Sequence, residues 1–141
     1  MQGVAMIKRA GTVVVAMLAL SACASVQEQR QVAPPGPRGA AFSEAAGAPV
    51  NRFDYTGFDA WEALGPQQMV LYTRPDQAWL LSFKAPCYRL DTATGIALSS
   101  RQQQVWINFD QVTALPGGVP CTIVRIQPVD LHRLSVKPLA R

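Results

Sequence analysis

The sequence lacks most of the residues that carry redox, metal and nucleophilic chemistry. It has one histidine, His132, and three cysteines, none of which form a Cys-x-x-Cys pair for redox work. No Gly-x-Ser-x-Gly elbow is present to hold a hydrolase nucleophile. The carboxylates are dispersed, and no pair has the spacing of a metal-binding loop. We therefore expect no metal, no cofactor and no enzymatic activity.

Charge of either sign is also scarce. Charged residues make up 16% of the chain, which is too few for a disordered acidic or basic tail. Lys8 and Arg9 account for half of the formal net charge of +4, and residues 52–141 contain nine basic and seven acidic side chains. This near balance does not favour a polyanionic partner, so we expect no nucleic-acid binding.

One uncharged apolar run stands out, at the N-terminus. It covers the 11 residues 10–20 and follows directly on Lys8 and Arg9. As a helix it would extend over about 16 Å, against about 30 Å of hydrocarbon in a bilayer. The run is therefore too short to span a membrane and is typical of the apolar part of a secretory signal peptide. We predict a signal peptide over residues 1–22.

A short motif follows this run. Leu20-Ser21-Ala22-Cys23 resembles the lipobox of bacterial lipoproteins. The resemblance implies that the leader is removed before Cys23, and that palmitate-type acyl chains on its thiol and new amino group anchor the protein. By the sorting rule of that family, Ala24 rather than Asp implies the outer membrane over the inner one, with the domain facing the periplasm. Two or three acyl chains make such an anchor durable.

The next segment is poor in aromatic residues. Residues 24–51 contain one, Phe42, and are dominated by alanine, proline, glycine and glutamine. The run Pro34-Pro35-Gly36-Pro37 cannot form regular hydrogen-bonded structure, because proline lacks the backbone donor. We predict a disordered tether from Cys23 to residue 51. The alternative is that the proline run is a docking motif for an aromatic groove.

The folded domain is expected over residues 52–137, followed by a short tail at 138–141. This part holds all three Trp and all three Tyr, enough for one small core that is marginal without a covalent link. If Cys23 is lipidated, Cys87 and Cys121 are the remaining thiols of an exported chain. We therefore predict a structural disulfide between them.

Alternating apolar residues predict several short strands. Residues 68–73 and 78–83 read as a hairpin, joined by a turn over residues 74–77 with Pro75 at its second position. Residues 104–109 alternate as a half-buried strand, and the run 115–120 is a loop.

The strand predicted last covers residues 121–127. It should end at Pro128, with Thr122, Val124 and Ile126 on one side. The fold class is therefore mainly β, with α+β as the alternative. We expect a small antiparallel curled sheet or partly open barrel with one disulfide and a short C-terminal helix.

Two segments remain open at this point. Residues 59–62 have the character of a capping box, which favours a helix ended by Gly65, but they could equally continue a strand begun at Phe53. Residues 130–136 predict the short terminal helix, capped by Asp130 and ended by Pro138.

A second resemblance extends past the leader. The order of motifs over residues 55–130 is similar to an uncharacterised family of proteobacterial envelope lipoproteins. The matching positions are Trp61, Pro86-Cys87 with Leu90, Phe109-Asp110-Gln111-Val112 and Cys121-Thr122-Ile123-Val124. That family brings no established activity, cofactor or partner, so it assigns no functional residues here.

The best candidate for a binding residue is Trp106. It shares a polar strand face with Gln104 and Asn108, and Arg101 could rim the same patch. A tryptophan on a polar face either lies under another element or offers a platform for a ligand. We expect a non-catalytic interaction module with a possible envelope protein partner and no identified ligand. The alternative is a small-molecule or glycan binder that uses the Trp106 face.

The least favoured function is a hydrolase centred on the single histidine. Such an enzyme would need Ser82, Ser99 or Ser100 within reach of His132, and nothing in their spacing indicates this.

Overall fold

The structure is a computed structural model, and it describes residues 35–137. Antiparallel strands dominate this part of the chain. The predicted signal peptide, Cys23, the first part of the tether and the tail lie outside these residues. No helix within residues 35–137 is long and apolar enough to cross a membrane. The elements are α1 (Pro37–Ala45), β1 (Arg52–Asp54), β2 (Ala60–Gly65), β3 (Gln68–Arg74), β4 (Gln77–Phe83), β5 (Gly95–Leu98), β6 (Gln104–Trp106), β7 (Gln111–Leu115), β8 (Cys121–Val129) and a 3-10 turn (Leu131–Arg133).

Six of the strands form one sheet in the order β2-β3-β4-β8-β7-β5, in which all neighbours are antiparallel. The sheet curls into a half-barrel, and β1 pairs with β6 as a separate two-stranded ribbon. The predicted fold class, mainly β with a curled antiparallel sheet and one disulfide, is confirmed.

The central strands are apolar on both faces. Because side chains alternate along a strand, Met69 and Leu71 of β3 enter one core while Val70 and Tyr72 enter another. The first core also receives Phe53 from the β1–β6 ribbon, whose ring stacks on Trp79 at 4.7 Å. The second core lies on the opposite face and needs a separate cover.

Helix α1 provides that cover. Phe42 is fully buried in the second core, among residues of β2, β3 and β4. Gly39 allows the helix to come close, since a Cβ there would lie 2.8 Å from Pro35 Cβ and 3.3 Å from the Leu64 carbonyl oxygen. The prediction of a disordered tether up to residue 51 is therefore wrong for residues 37–45.

The segment after α1 is also part of the fold. β8 pairs with β7 only through Cys121 and Thr122, so the later residues of β8 are not paired with β7 on that side. The amide of Gly47 donates to the Pro128 carbonyl at 2.8 Å, and the amide of Val50 donates to the Ile126 carbonyl at 2.9 Å. The folded part thus begins near residue 37 rather than at 52.

The predicted hairpin and the loop near residue 118 are confirmed. β3 and β4 pair antiparallel, with Tyr72 opposite Ala78 and a tight connection through Pro75 and Asp76. The chain between β7 and β8 forms the predicted loop, although Leu115 itself ends β7.

The strand predicted over residues 104–109 is shorter than expected. β6 ends at Trp106, and Asn108 adopts a φ of 64°, which breaks the alternation. Phe109 is consequently 66% exposed instead of facing the core with Val105. The cause is a turn at Asp110, whose Oδ2 accepts a hydrogen bond from the Trp106 amide at 2.8 Å.

The last strand also departs from the prediction. β8 continues through Pro128 to Val129. The nitrogen and the carbonyl of Pro128 both point towards residues 46–50, so the missing N–H of the proline removes no hydrogen bond between β8 and β4. A bulge places Phe83 opposite Ile123 and Ser82 opposite Arg125, which leaves Val124 as the extra residue.

The bulge changes which side chains of β8 share a face. Ile123 and Ile126 are both fully buried, although they are three positions apart. Thr122, Val124 and Ile126 therefore do not lie on one side as period-2 spacing predicted.

The structure decides between the alternatives for residues 59–62 and tests the helix predicted over residues 130–136. Residues 60–62 belong to strand β2 and Asp59 directly precedes it, so the strand alternative holds, with a break between β1 and β2. Residues 130–136 form a single 3-10 turn and not the predicted helix. The predicted cap is present, since the Asp130 carboxylate accepts from the His132 amide at 3.0 Å.

The burial of Phe42 makes a direct prediction about stability. Phe42→Ala should lower the free energy of unfolding by roughly 3–5 kcal/mol, because it leaves a cavity in the second core. Glu44→Ala, at an exposed position of the same helix, should change it by less than about 0.5 kcal/mol. Denaturant unfolding of both variants is the measurement. Two equally small effects would mean that α1 does not belong to the fold.

The disulfide makes a second prediction. Cys87 and Cys121 are bonded, with their Cα atoms 5.6 Å apart and 34 positions between them in sequence. On the chain-entropy model, replacing both with serine should lower the free energy of unfolding by roughly 3–4 kcal/mol. Non-reducing peptide mapping should recover the linked peptides. Recovery of both thiols in alkylated form without reduction would contradict the assignment.

Candidate functional site

The predicted Trp106 face is the outer face of the β1–β6 ribbon. Register pairs Arg52 with Trp106 and Asp54 with Gln104, so all four side chains share that face. The Arg52 guanidinium carbon lies 4.6 Å from the Trp106 ring centroid, a cation–π contact. The Gln104 amide donates to Asp54 Oδ1 at 3.1 Å. Trp106 is half-buried, and an arginine already occupies part of the predicted platform.

The other residues assigned to this patch are not all on it. Arg101 is exposed in a tight turn, where its amide and that of Gln104 each bond the other's carbonyl. Gln102 and Gln103 in this turn have φ values of 51° and 60°, a conformation that costs about 1–2 kcal/mol per non-glycine residue. Asn108 follows the end of β6, so the spacing that grouped it with Trp106 does not hold.

Asp110 is a buried carboxylate whose hydrogen bonds have a structural role. It is 1% exposed, and its two oxygens accept from the Ser99 hydroxyl at 2.7 Å and from the Trp106 amide at 2.8 Å. The Ser99 oxygen in turn accepts from the Gln111 amide at 2.9 Å. The carboxylate therefore holds together the ends of β5 and β6 and the start of β7.

The predicted partners of His132 are not brought to it. His132 is exposed on the 3-10 turn, beyond the end of β8 that lies farthest from Cys121. The Ser99 hydroxyl donates to Asp110 and the Ser82 hydroxyl accepts from Gln68, so the hydrogen bonds of these two serines are made with residues other than His132. Residues 35–137 contain no cluster of three His, Cys, Asp or Glu side chains that could hold a metal ion.

A different surface lies around the disulfide. The loops 84–94 and 116–120 meet there, and we call them, together with Gly65, Pro66, Leu115 and Cys121, the disulfide end of the domain. Besides the covalent bond, the Cys87 amide donates to the Pro66 carbonyl at 2.6 Å and the Lys84 amide to the Thr122 carbonyl at 3.0 Å.

The disulfide end exposes large apolar side chains. Tyr88 is 73% exposed, Val119 68% and Leu115 41%. Phe109, the fourth such residue of the described chain, lies on the turn before Asp110. Tyr88 directly follows Cys87, Val119 lies two positions before Cys121, and Leu115 directly precedes the same loop. This end is therefore the strongest candidate for a contact surface.

A recess of about 310 Å³ opens beside Tyr88. Its wall is formed largely by apolar surface, with Arg89 and Asp91 as the charged members; the lining residues are Gly65, Pro66, Pro86, Cys87, Tyr88, Arg89 and Asp91. Trp106 does not line it. The recess can seat an apolar group, but it brings together no nucleophile and general base.

The family of unknown function DUF6491 matches residues 6–137. The chain belongs to DUF6491. The match is wider than the resemblance over residues 55–130, since it includes α1 and the segment before it. No curated protein and no solved structure matches this DUF6491 member.

Sequence reasoning missed the disulfide end, although signals for it were present. Tyr88 follows the disulfide cysteine in a segment without alternation, and Val119 lies between glycine and proline in a loop. Large apolar residues in loops are not explained by a core.

A buried polar group lies beneath α1 of this DUF6491 domain. Arg38 Nε donates to Glu62 Oε1 at 2.5 Å, and Arg38 Nη2 donates to the Lys137 carbonyl at 3.0 Å. Glu62 is 6% exposed, and the arginine supplies the charge partner that a buried carboxylate requires. This contact ties α1 to β2 and to the C-terminal segment.

Tyr72 lies close to this ion pair. Its hydroxyl oxygen is buried and makes no hydrogen bond to any described residue. Burial, and next the negative charge of Glu62, raise the pKa of Tyr72 to about 12, while Arg38 acts in the opposite direction. The neutral phenol is therefore the form that the fold favours.

Tyr72→Phe should raise the free energy of unfolding at neutral pH by roughly 1 kcal/mol, because it removes a buried hydroxyl without a partner. The wild type should also lose stability as the pH rises from about 10, the pKa of an unfolded tyrosine, through about 12. Burial raises the pKa of Tyr55 in the same direction, so the difference between wild type and variant isolates Tyr72. Denaturant unfolding across this pH range is the measurement.

Tyr88→Phe, at an exposed position, is the matched control and should leave stability at neutral pH within about 0.5 kcal/mol. A Tyr72→Phe variant that is less stable than wild type at neutral pH would contradict the interpretation.

Proposed function

We propose that this protein is a lipid-anchored lipoprotein of the bacterial outer membrane with its domain facing the periplasm. The domain is a non-catalytic interaction module, and the disulfide end is its contact surface. The observation that carries the second statement is the exposure of Tyr88, Val119 and Leu115 around one disulfide.

The anchor rests on the N-terminal sequence. Charge at Lys8 and Arg9, an 11-residue uncharged run and the lipobox-like motif ending at Cys23 occur in the order that lipoprotein processing requires. A disulfide-linked domain agrees with an oxidising compartment. Ala24 in place of aspartate supports the outer rather than the inner membrane.

The contact surface rests on burial and rigidity. Exposed apolar side chains lose unfavourable contact with water when a partner covers them. The disulfide joins loop 84–94 to the first residue of β8, which directly follows loop 116–120. It limits the movement of both loops, so little conformational entropy is lost on binding. This combination favours an interaction module over a catalyst.

The alternative is a small-molecule or glycan binder at the ribbon. One observation favours it: the exposed Arg52 stacks on the half-buried Trp106 ring, beside the Gln104–Asp54 hydrogen bond. A planar or sugar ring could take the place of the guanidinium on the indole. Under this alternative Trp106, and not Tyr88, is covered by the ligand.

The anchor predicts the mass and the location of the mature protein. Intact mass spectrometry should show a chain that begins at acylated Cys23, recovered in the outer-membrane fraction. A Cys23→Ser form should leave the membrane fraction, because it cannot be acylated. Retention of that form in the membrane would overturn the anchor.

The contact surface predicts which side chains are shielded in the cell envelope. Hydroxyl-radical labelling of Tyr88 should be several-fold lower in intact envelopes than in the detergent-solubilised protein, whereas labelling of the exposed His132 should not change. Protection of Trp106 with Tyr88 unprotected would support the ribbon binder instead. Equal labelling of all three residues in both states would remove the interaction module.

A further inference from the structure

The point where the N-terminal segment joins the domain lies at the disulfide end. Pro35, the first described residue, lies beside Gly39, and a Cβ at Gly39 would lie 3.3 Å from the Leu64 carbonyl oxygen. The next residues along the chain, Gly65 and Pro66, line the recess beside Tyr88. An anchor on Cys23 is therefore connected to the domain at this end.

The connection is short. Pro35 is twelve positions after Cys23, so the chain between them can extend at most about 40 Å. β8 carries the fold away from Cys121 over nine residues, about 30 Å, to the opposite end. Contact of the disulfide end with the bilayer therefore needs almost no extension of this connection, whereas contact of the opposite end needs about 30 Å of it.

The two ends differ in chemistry in the way that a bilayer surface requires. At the disulfide end, Tyr88 and Val119 are exposed together with the cations Lys84 and Arg89, and Asp91 is the acid of the recess. Tyrosine is favoured at the membrane–water interface, where its ring is apolar and its hydroxyl stays wet. Basic side chains there attract anionic headgroups.

The opposite end is polar. Its exposed residues include Arg74 and Asp76 in the β3–β4 turn and Asp130 and Arg133 beside the 3-10 turn. None of these is a large apolar side chain, so burial in the headgroup region would gain little free energy.

We propose that the lipid surface of the membrane is the partner of the disulfide end. Tyr88 and Val119 enter the interfacial region, and Arg89 meets lipid phosphate. This proposal rests on the proposed lipid anchor and names the partner of the contact surface. A weak contact suffices, because the acyl chains hold the domain at a high local concentration beside the bilayer.

The loop geometry supports a surface that enters the interface without refolding. Gly118 has no room for a side chain, since a Cβ there would collide with the Ala114 carbonyl oxygen. The Gly118 amide donates to that same oxygen at 2.8 Å. Val119 is thus presented by a turn that two constraints hold, this hydrogen bond and the disulfide at Cys121.

Site-specific photocrosslinking tests the proposal. The mature, acylated protein is reconstituted in vesicles of phosphatidylethanolamine and phosphatidylglycerol, with a benzoylphenylalanine in place of one residue at a time. Tyr88 and Val119 are the test positions. Asp76 and Arg133, exposed at the opposite end, are the matched controls, and mass spectrometry counts lipid adducts on each variant.

We expect several-fold more lipid adduct at Tyr88 and Val119 than at Asp76 and Arg133. Equal adducts at all four positions, or more at the opposite end, would overturn the orientation. If Tyr88 is shielded in intact envelopes but gives no lipid adduct in vesicles, its partner is not lipid, and the inference fails while the interaction module stands. A protein that does not float with the vesicles indicates failure of the anchor itself.

Discussion

Coverage of the second face of the sheet is the constraint on which the rest of this fold depends. β3 and β4 are apolar on both faces, so a curled sheet with only its inner face filled would leave Val70, Tyr72 and Leu80 in water. Phe42 and the helix that carries it remove this surface. The ion pair between Arg38 and Glu62 fixes the position of the helix. A buried carboxylate without its charge partner is costly, so positions of the helix that separate the two side chains are disfavoured.

Local patterns were sufficient for part of the architecture. The β3–β4 hairpin could be predicted because proline at a turn position and alternating apolar residues act within a few positions of each other. The disulfide could be predicted by counting thiols. The helix α1 could not, because residues 37–45 contain one aromatic and a proline at the start, and their order comes from packing against residues far along the chain. Asp110 similarly ended β6 through a side-chain contact that periodicity does not register.

The candidate site shows the same division between local and distant effects. The position of Trp106 and Gln104 on one strand face follows from strand alternation and was predictable. The stacking of Arg52 on that ring was not, because it depends on the pairing of strands about fifty positions apart. The disulfide end is assembled from three separate segments, so no single motif marks it. Its signal in the sequence is the unexplained apolar residue in each loop.

The contact between Arg38 and the Lys137 carbonyl gives the domain a mechanical property. A pull on the chain before Pro35 reaches the domain first at α1, which lies across the sheet rather than within its ladder. The Arg38 contact joins α1 to the C-terminal segment, so the first and the last segments of the described chain share the load. The backbone hydrogen bonds of Gly47 and Val50 to β8 follow α1 along the chain, so a pull transmitted along the backbone reaches them through the helix.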